Sequence, residues 1–341
     1  MPTETLLHYD SIDDYLGPSI GRFFATGFRR VRHEVCDVAV TGVDASTPGV
    51  KARATLEYPT DWSKKKEEFD LPPHVSTVDM MVLGVQLSEV FLAHAYGLDP
   101  AARRRATLRK MTLRAGTAPQ EELVDLPAVA TLHTTTADSQ ADGGYVSVFD
   151  TNVGAMRSRY EIEHGIAGRA SQQRTFATLD EALGPAPRRY FGDGFKYRRQ
   201  VIEDVRADVE ELTAEAFVRV ESTGESEPAT EGVDGAVTPS SFTPLDCFVA
   251  NLQLTQILMY ELDSINRRDS NTLWMLHTIL TVKSRGYLDD SRARARARTS
   301  IIQKHLVPLR GGMWRNVEVL SSFGGVDMRC SFAHELPAVR A

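Results

Sequence analysis

Two stretches of the sequence place an aspartate and a glutamine seven residues apart in a long apolar run. Asp79 and Gln86 lie in "STVDMMVLGVQL", and Asp246 and Gln253 lie in "TPLDCFVANLQL". On a helix, seven residues fall about 20° short of two full turns, so each pair shares one face, roughly 10 Å apart along the axis. A carboxylate can move a proton, and an amide in apolar surroundings must find partners or orient a polar group of a ligand. His74, five residues before Asp79, adds an imidazole that titrates near neutrality. The matching position in the second stretch is Ser241. This asymmetry would let one pocket keep a base while the other changes role. We therefore take His74, Asp79 and Asp246 as candidate catalytic residues and Gln86 and Gln253 as candidate substrate-binding residues. A structural reading competes at each. "STVD" and "TPLD" fit capping boxes, with Ser76 and Thr243 as N-caps and the aspartates at the third helical position. The glutamines could bond to the surrounding sheet, and His74 could simply be solvated.

The elements that must position these residues occur twice. "LGPSIGRFFATGF" (16–28) returns as "LGPAPRRYFGDGF" (183–195), with seven of thirteen positions identical. The same offset of 167 residues pairs Asp79 with Asp246, Gln86 with Gln253 and Asp37 with Asp204. One offset shared by separate blocks implies two copies of one domain, a period far too long for a solenoid. The expected boundaries are residues 1–165 and 181–341, with 166–180 as a polar linker. Each copy reads as a glycine-rich opening, two strands, a polar loop, one long helix (about 76–97 and 243–265) and three or four closing strands. The loops 59–74 and 222–241 are charged or rich in small residues and read as mobile flaps. The helices are apolar on nearly every side and must be buried all round. "SRARARART" (291–299) alternates like a strand with one wet face. A buried helix wrapped by a curved antiparallel sheet is the hotdog arrangement. Two in tandem give a double hotdog of the α+β class.

Composition narrows the chemistry. The chain has 341 residues, a net charge of −7 and 42% hydrophobic residues, as in a globular protein with no nucleic-acid partner. Cys36, Cys247 and Cys330 form neither a CxxC motif nor a disulfide framework, so a reducing, cytoplasmic setting is expected. No apolar run approaches 18 residues and no membrane span is expected. No cofactor or metal is expected either. The histidines show no zinc spacing, and GxGxxG and GxxxxGK[ST] do not occur. Cys36 and Cys247 read as core residues more readily than as nucleophiles. Arg292, Arg294, Arg296 and Arg298 face one way on their strand. The first three are candidate contacts for a phosphate of a thioester carrier or for an acidic carrier protein; a solvated sheet face is the competing reading.

"YDSIDDYLGPSIGRFFATGFRRV" followed by "PHVSTVDMMVLGVQLSEVFL" resembles the AvrD (avirulence protein D) family of bacterial biosynthetic enzymes. The resemblance is clearest over residues 9–100 and extends into the second half. It implies a role in making syringolide-like acyl-sugars from a β-ketoacyl thioester and a pentulose. The tandem layout also resembles A-factor synthesis enzymes and, more distantly, double-hotdog dehydratases, which carry a His in the first hotdog and an Asp in the second. His74 with Asp246 echoes that split. The Gly and Pro that follow the dehydratase His are absent after His74, and Ala250 stands where a Gln or His follows the second Asp. The resemblance thus implies thioester binding more than dehydration.

The expected function is transfer of a β-ketoacyl group from an acyl-CoA or acyl carrier protein to a sugar-like polyol. The rivals are a dehydratase or cyclase on a carrier-bound chain and a non-catalytic acyl-ligand binder. The halves could pair with each other in a monomer, or outer strands could build a homodimer.

Overall fold

The computed structural model describes residues 5–63, 72–116, 118–223, 230–236, 241–267, 270, 273–283, 294–309 and 311–336. Arg292 and parts of both expected flaps lie outside these residues. The first half holds β1 (Leu6–Ser11), α1 (Ile12–Leu16), β2 (Arg32–Val40), β3 (Gly49–Glu57), α2 (Thr77–Ala95), α3 (Pro100–Arg105) and β4 (Thr107–Arg114). It closes with β5 (Leu126–Ala137), β6 (Tyr145–Val153) and β7 (Met156–His164). The second half repeats the order with β8 (Arg174–Thr178), α4 (Leu179–Leu183), β9 (Arg198–Asp208), β10 (Thr213–Ser222) and α5 (Pro244–Leu262). It ends with β11 (Trp274–Val282), β12 (Arg294–Leu309), β13 (Gly312–Phe323) and β14 (Val326–Glu335).

All strand pairings are antiparallel, in one sheet ordered β1-β9-β10-β12-β13-β14-β11-β4-β7-β6-β5-β3-β2-β8. Under the 167-residue offset this order reads the same from either end, with the seam at β4–β11. The sheet curls around α2 in one half and α5 in the other, so the fold is a double hotdog of the α+β class. Both helices are enclosed: 18 of the 19 residues of α2 are buried. By length and hydropathy α2 would pass for a membrane span, which the sequence reading did not register, but 89% of that window is buried inside this fold. Burial of each large apolar side chain contributes about 1.5–3 kcal/mol, which makes these two helices the main source of core stability.

The outermost strands exchange halves. β1, early in the chain, pairs with β9 of the second half, and β8 pairs with β2 of the first. Residues 166–180, expected as a linker, therefore contain an edge strand and the start of α4. The paired Asp37 and Asp204 have φ of 53° and 49° and sit at irregularities of β2–β3 and β9–β10. Aspartate tolerates this left-handed conformation better than most residues, which accounts for its presence at both bulges.

The repeated segments follow the exchange. Residues 15–24 pack on α5: Tyr15 Oη donates to Glu261 at 2.6 Å, and Phe24 packs edge-on against Phe248. Residues 182–189 pack on α2, where His94 Nε2 bonds the Ala182 carbonyl at 2.8 Å. Phe28 and Phe195, equivalent under the offset, stack on each other at 6.3 Å between ring centroids, which places them at the centre of the two-fold pattern.

Candidate active site

The repeated arginine holds the helix glutamine of the opposite half. Arg22 Nη1 donates to Gln253 Oε1 at 3.0 Å, and Arg189 Nη1 donates to Gln86 Oε1 at 2.9 Å. Each guanidinium also pairs with an aspartate of its own short helix, Asp13 or Asp180. Gln253 Nε2 donates to the carbonyls of Phe24 (3.1 Å) and Val249 (3.2 Å). Its amide is thereby committed to holding Arg22.

The two aspartates close capping boxes. Asp79 accepts from the Ser76 amide and hydroxyl, both at 2.7 Å, from His33 Nε2 at 2.7 Å and from the Tyr58 hydroxyl. Burial pushes its carboxyl up, but these hydrogen bonds and the His33 ring outweigh burial and hold it below the ordinary aspartate value. Asp246 accepts from the Thr243 amide (3.0 Å) and hydroxyl (2.9 Å), Gln200 Nε2 (2.6 Å) and Arg198 Nη2 (2.9 Å). His33 and Gln200 are also equivalent under the offset, as are Asp79 and Asp246. Neither carboxylate is among the residues that line the cleft holding His74.

A cleft with a cavity volume of about 90 Å³ opens at the first turn of α2. Phe23, Phe24, Trp62, Trp274 and Met275 form apolar walls, and His74, Arg22, Gln253, Gln256 and Arg267 add polar groups. Ser76 and Thr77 line it as well, so the start of a buried helix faces the cavity. His74 is half-buried, packs edge-on against Trp62 at 5.5 Å and faces the Pro72 carbonyl through Nδ1 at 3.4 Å. Burial pushes the imidazole below the ordinary histidine value, the Pro72 carbonyl only partly opposing it. His74 is therefore neutral at pH 7, and a proton on Nδ1 leaves Nε2 as the basic nitrogen.

Of the residues singled out from the sequence, the cleft unites His74 and Gln253. Gln86 lies in the equivalent position of the other half, bonded to Arg189. Arg294 and Arg296 lie on the exposed face of β12, over the Phe217 ring at 4.4 and 5.2 Å, and Arg296 pairs with Glu215 at 3.5 Å. That is the solvated-face arrangement, away from the cleft. Cys247 is buried with its thiol pushed up to about 12 by burial, as befits a core residue. Among the described residues no group of His, Cys, Asp and Glu could hold a metal ion. Arg22, Gln256 and Arg267 escaped the sequence reading as site residues. Arg22 was visible as an identity in the repeat; Gln256 and Arg267 carried no signal of their own.

The sequence profile described as "Pseudomonas avirulence D protein (AvrD)" matches residues 7–337. The chain belongs to the AvrD family. No curated protein matches it. Among solved structures it is similar to a putative oleoyl thioesterase from Lactobacillus plantarum, at 9% identity and a TM-score of 0.40, covering 91% of this chain and 98% of that one. It is also similar to the dehydratase domain of PpsC from Mycobacterium tuberculosis in complex with C12:1-CoA, at 14% identity and a TM-score of 0.33, covering 88% and 98%. A third is the tesB protein of Mycobacterium avium, at 8% identity and a TM-score of 0.39, covering 84% and 93%. None of the three lends a residue role or a substrate to this chain.

Proposed function

We propose that this AvrD-family protein is a biosynthetic enzyme that transfers a β-ketoacyl group from a thioester to a hydroxyl of a sugar-like polyol. One observation carries the reading: a neutral, half-buried His74 shares an apolar-walled cleft with the first turn of a buried helix. The acyl chain lies against Phe24, Trp62 and Trp274. The thioester carbonyl points at the first turn of α2, whose amide dipoles favour developing negative charge. His74 Nε2 takes the proton of the acceptor hydroxyl as its oxygen attacks the carbonyl carbon. The tetrahedral intermediate then expels the thiolate, which takes the proton back from His74. One C–S bond breaks, one C–O bond forms, and the products are an ester and a free thiol.

Asp79 acts behind this site. It fixes the start of α2 through Ser76, and it anchors Tyr58, whose hydroxyl oxygen lies 2.8 Å from the His74 carbonyl and shares its one proton between that carbonyl and Asp79. It positions the base and holds no substrate. Asp246 plays the corresponding structural part for α5. The donor is an acyl-CoA or an acyl carrier protein.

Incubation with a β-ketoacyl thioester and a ketose, read by mass spectrometry, tests the proposal. Acyl transfer adds the acyl group to the acceptor, whereas dehydration removes one water from the thioester. A His74→Ala variant that transfers at the wild-type rate would remove His74 from the mechanism. Binding without any mass change would favour a ligand-binding protein.

A further inference from the structure

Five polar side chains that line the cleft are at least nine-tenths buried: Arg22, Ser76, Thr77, Gln253 and Gln256. Three of them are committed to the protein itself. Arg22 donates to Gln253, Asp13 and the Pro18 carbonyl. Ser76 Oγ donates to Asp79 Oδ2 and accepts from the Asp79 amide. Gln253 spends its carbonyl on Arg22 and its Nε2 on the Phe24 and Val249 carbonyls. Thr77 belongs to the first turn of α2, which the acyl carbonyl faces. Gln256 remains.

Gln256 stands three residues after Gln253 on α5, so the two share a face, and the bonds that hold Gln253 also turn Gln256 toward the cleft. A side-chain amide can make four hydrogen bonds. Among the described residues that of Gln256 makes one, from Nε2 to the Tyr260 hydroxyl at 3.5 Å, the outer limit of such a bond. A second N–H and the carbonyl are left over in a side chain 9% exposed, and a buried polar group without a partner is costly. The amide is neutral and its surroundings are largely apolar, so the group that suits it is a neutral ketone or hydroxyl oxygen of the ligand.

The cavity volume of about 90 Å³ limits how far that oxygen stands from the reacting carbon. Benzene fills a dry cavity of about 150 Å³, so this one encloses roughly four heavy atoms. With the acyl carbonyl on the α2 side, beside His74, four atoms reach C3 of the acyl chain and little farther. We infer that Gln256 is a specificity-determining residue whose free N–H donates to the oxygen on C3, so that the cleft selects a 3-ketone over a saturated chain. This rests on the reading of the cleft as the thioester site, and it gives the helix of the second half a direct part in substrate choice.

Three pantetheine thioesters that differ only at C3 test the assignment: acetoacetyl, 3-hydroxybutyryl and butyryl. We expect kcat/KM for transfer to a ketose to be about tenfold or more higher with acetoacetyl than with butyryl. Gln256→Met, of nearly the same size but without a donor, should bring that ratio to within about threefold of one. Gln256→Glu, whose carboxylate can only accept, should favour 3-hydroxybutyryl over acetoacetyl. Either variant alone reads the contact. Equal use of acetoacetyl and butyryl by the wild type, or a preference that Gln256→Met retains, would overturn the role of Gln256 while leaving acyl transfer standing. If none of the thioesters turns over, calorimetric titration with acetoacetyl- and butyryl-pantetheine decides. Binding of the acetoacetyl form about tenfold tighter, with the difference lost in Gln256→Met, supports the assignment although acyl transfer has failed. Equal affinities, or no binding of either, refute it.

Discussion

At the scale of single residues, the account turns on a base and on the cap that holds it. Burial sets the His74 value below the ordinary 6.5 or so, so the acid limb of kcat/KM should lie below that pH, with a plateau through neutrality. In a His74→Gln variant the limb should vanish together with most of the rate. Asp79 predicts a stability effect. Its folded value is depressed, so its contribution is complete above about pH 4 and is lost as pH falls through the lower folded value. Asp79→Asn leaves His33 and Tyr58 poorly paired in a buried site. It should cost about 2–4 kcal/mol in urea unfolding at pH 7 and flatten the acid dependence of stability. Both caps were legible in the sequence, because a Ser or Thr three residues before an Asp is a local pattern. The partners His33, Tyr58, Arg198 and Gln200 were not, since the sheet brings them in from 21 to 48 positions away.

At the scale of elements, the repeated opening segment is a strap laid over the other half's helix. The 167-residue offset revealed that the segment occurs twice, but it could not reveal on which helix each copy lies. That choice is made by the pairing of β1 with β9 and β8 with β2, a non-local decision that leaves no local trace. The Arg189–Gln86 bond tests the strap away from the cleft. Arg189→Met should destabilise by about 2–4 kcal/mol by leaving a buried amide and Asp180 unpaired, and adding Gln86→Leu should recover part of the loss in a double-mutant cycle. A second element-level test lies in α2. A Cβ on Gly84 would overlap the Tyr160 ring, whose hydroxyl donates to the Met80 carbonyl. Gly84→Ala should therefore lower the melting temperature despite its better helix propensity.

At the scale of the whole molecule, the exchanged edges make the halves interdependent. Each buried helix is covered partly by a segment from the other half, and β4 pairs with β11 to carry the sheet across the seam. Neither half has its complete cover alone. We expect one cooperative unfolding transition seen alike by far-UV circular dichroism and by tryptophan fluorescence; two resolved transitions would contradict the interlock. The two long buried helices and the sheet wrapped around them were readable because long all-apolar helices and alternating strands are period signals; the short helices α1, α3 and α4 were not. The packing of the Gly232–Asp234 turn against Glu89 was not readable, because it joins residues 144 positions apart.

The most direct test is a crystal structure with a non-hydrolysable β-ketoacyl-pantetheine analogue. The account predicts one analogue per chain, its acyl chain between Trp62 and Trp274 and its carbonyl carbon beside His74 Nε2 at the start of α2. An analogue seated against Gln86 and Glu89 in place of the Val233 turn, or on the outer face of β12 beside Arg294 and Arg296, would contradict it.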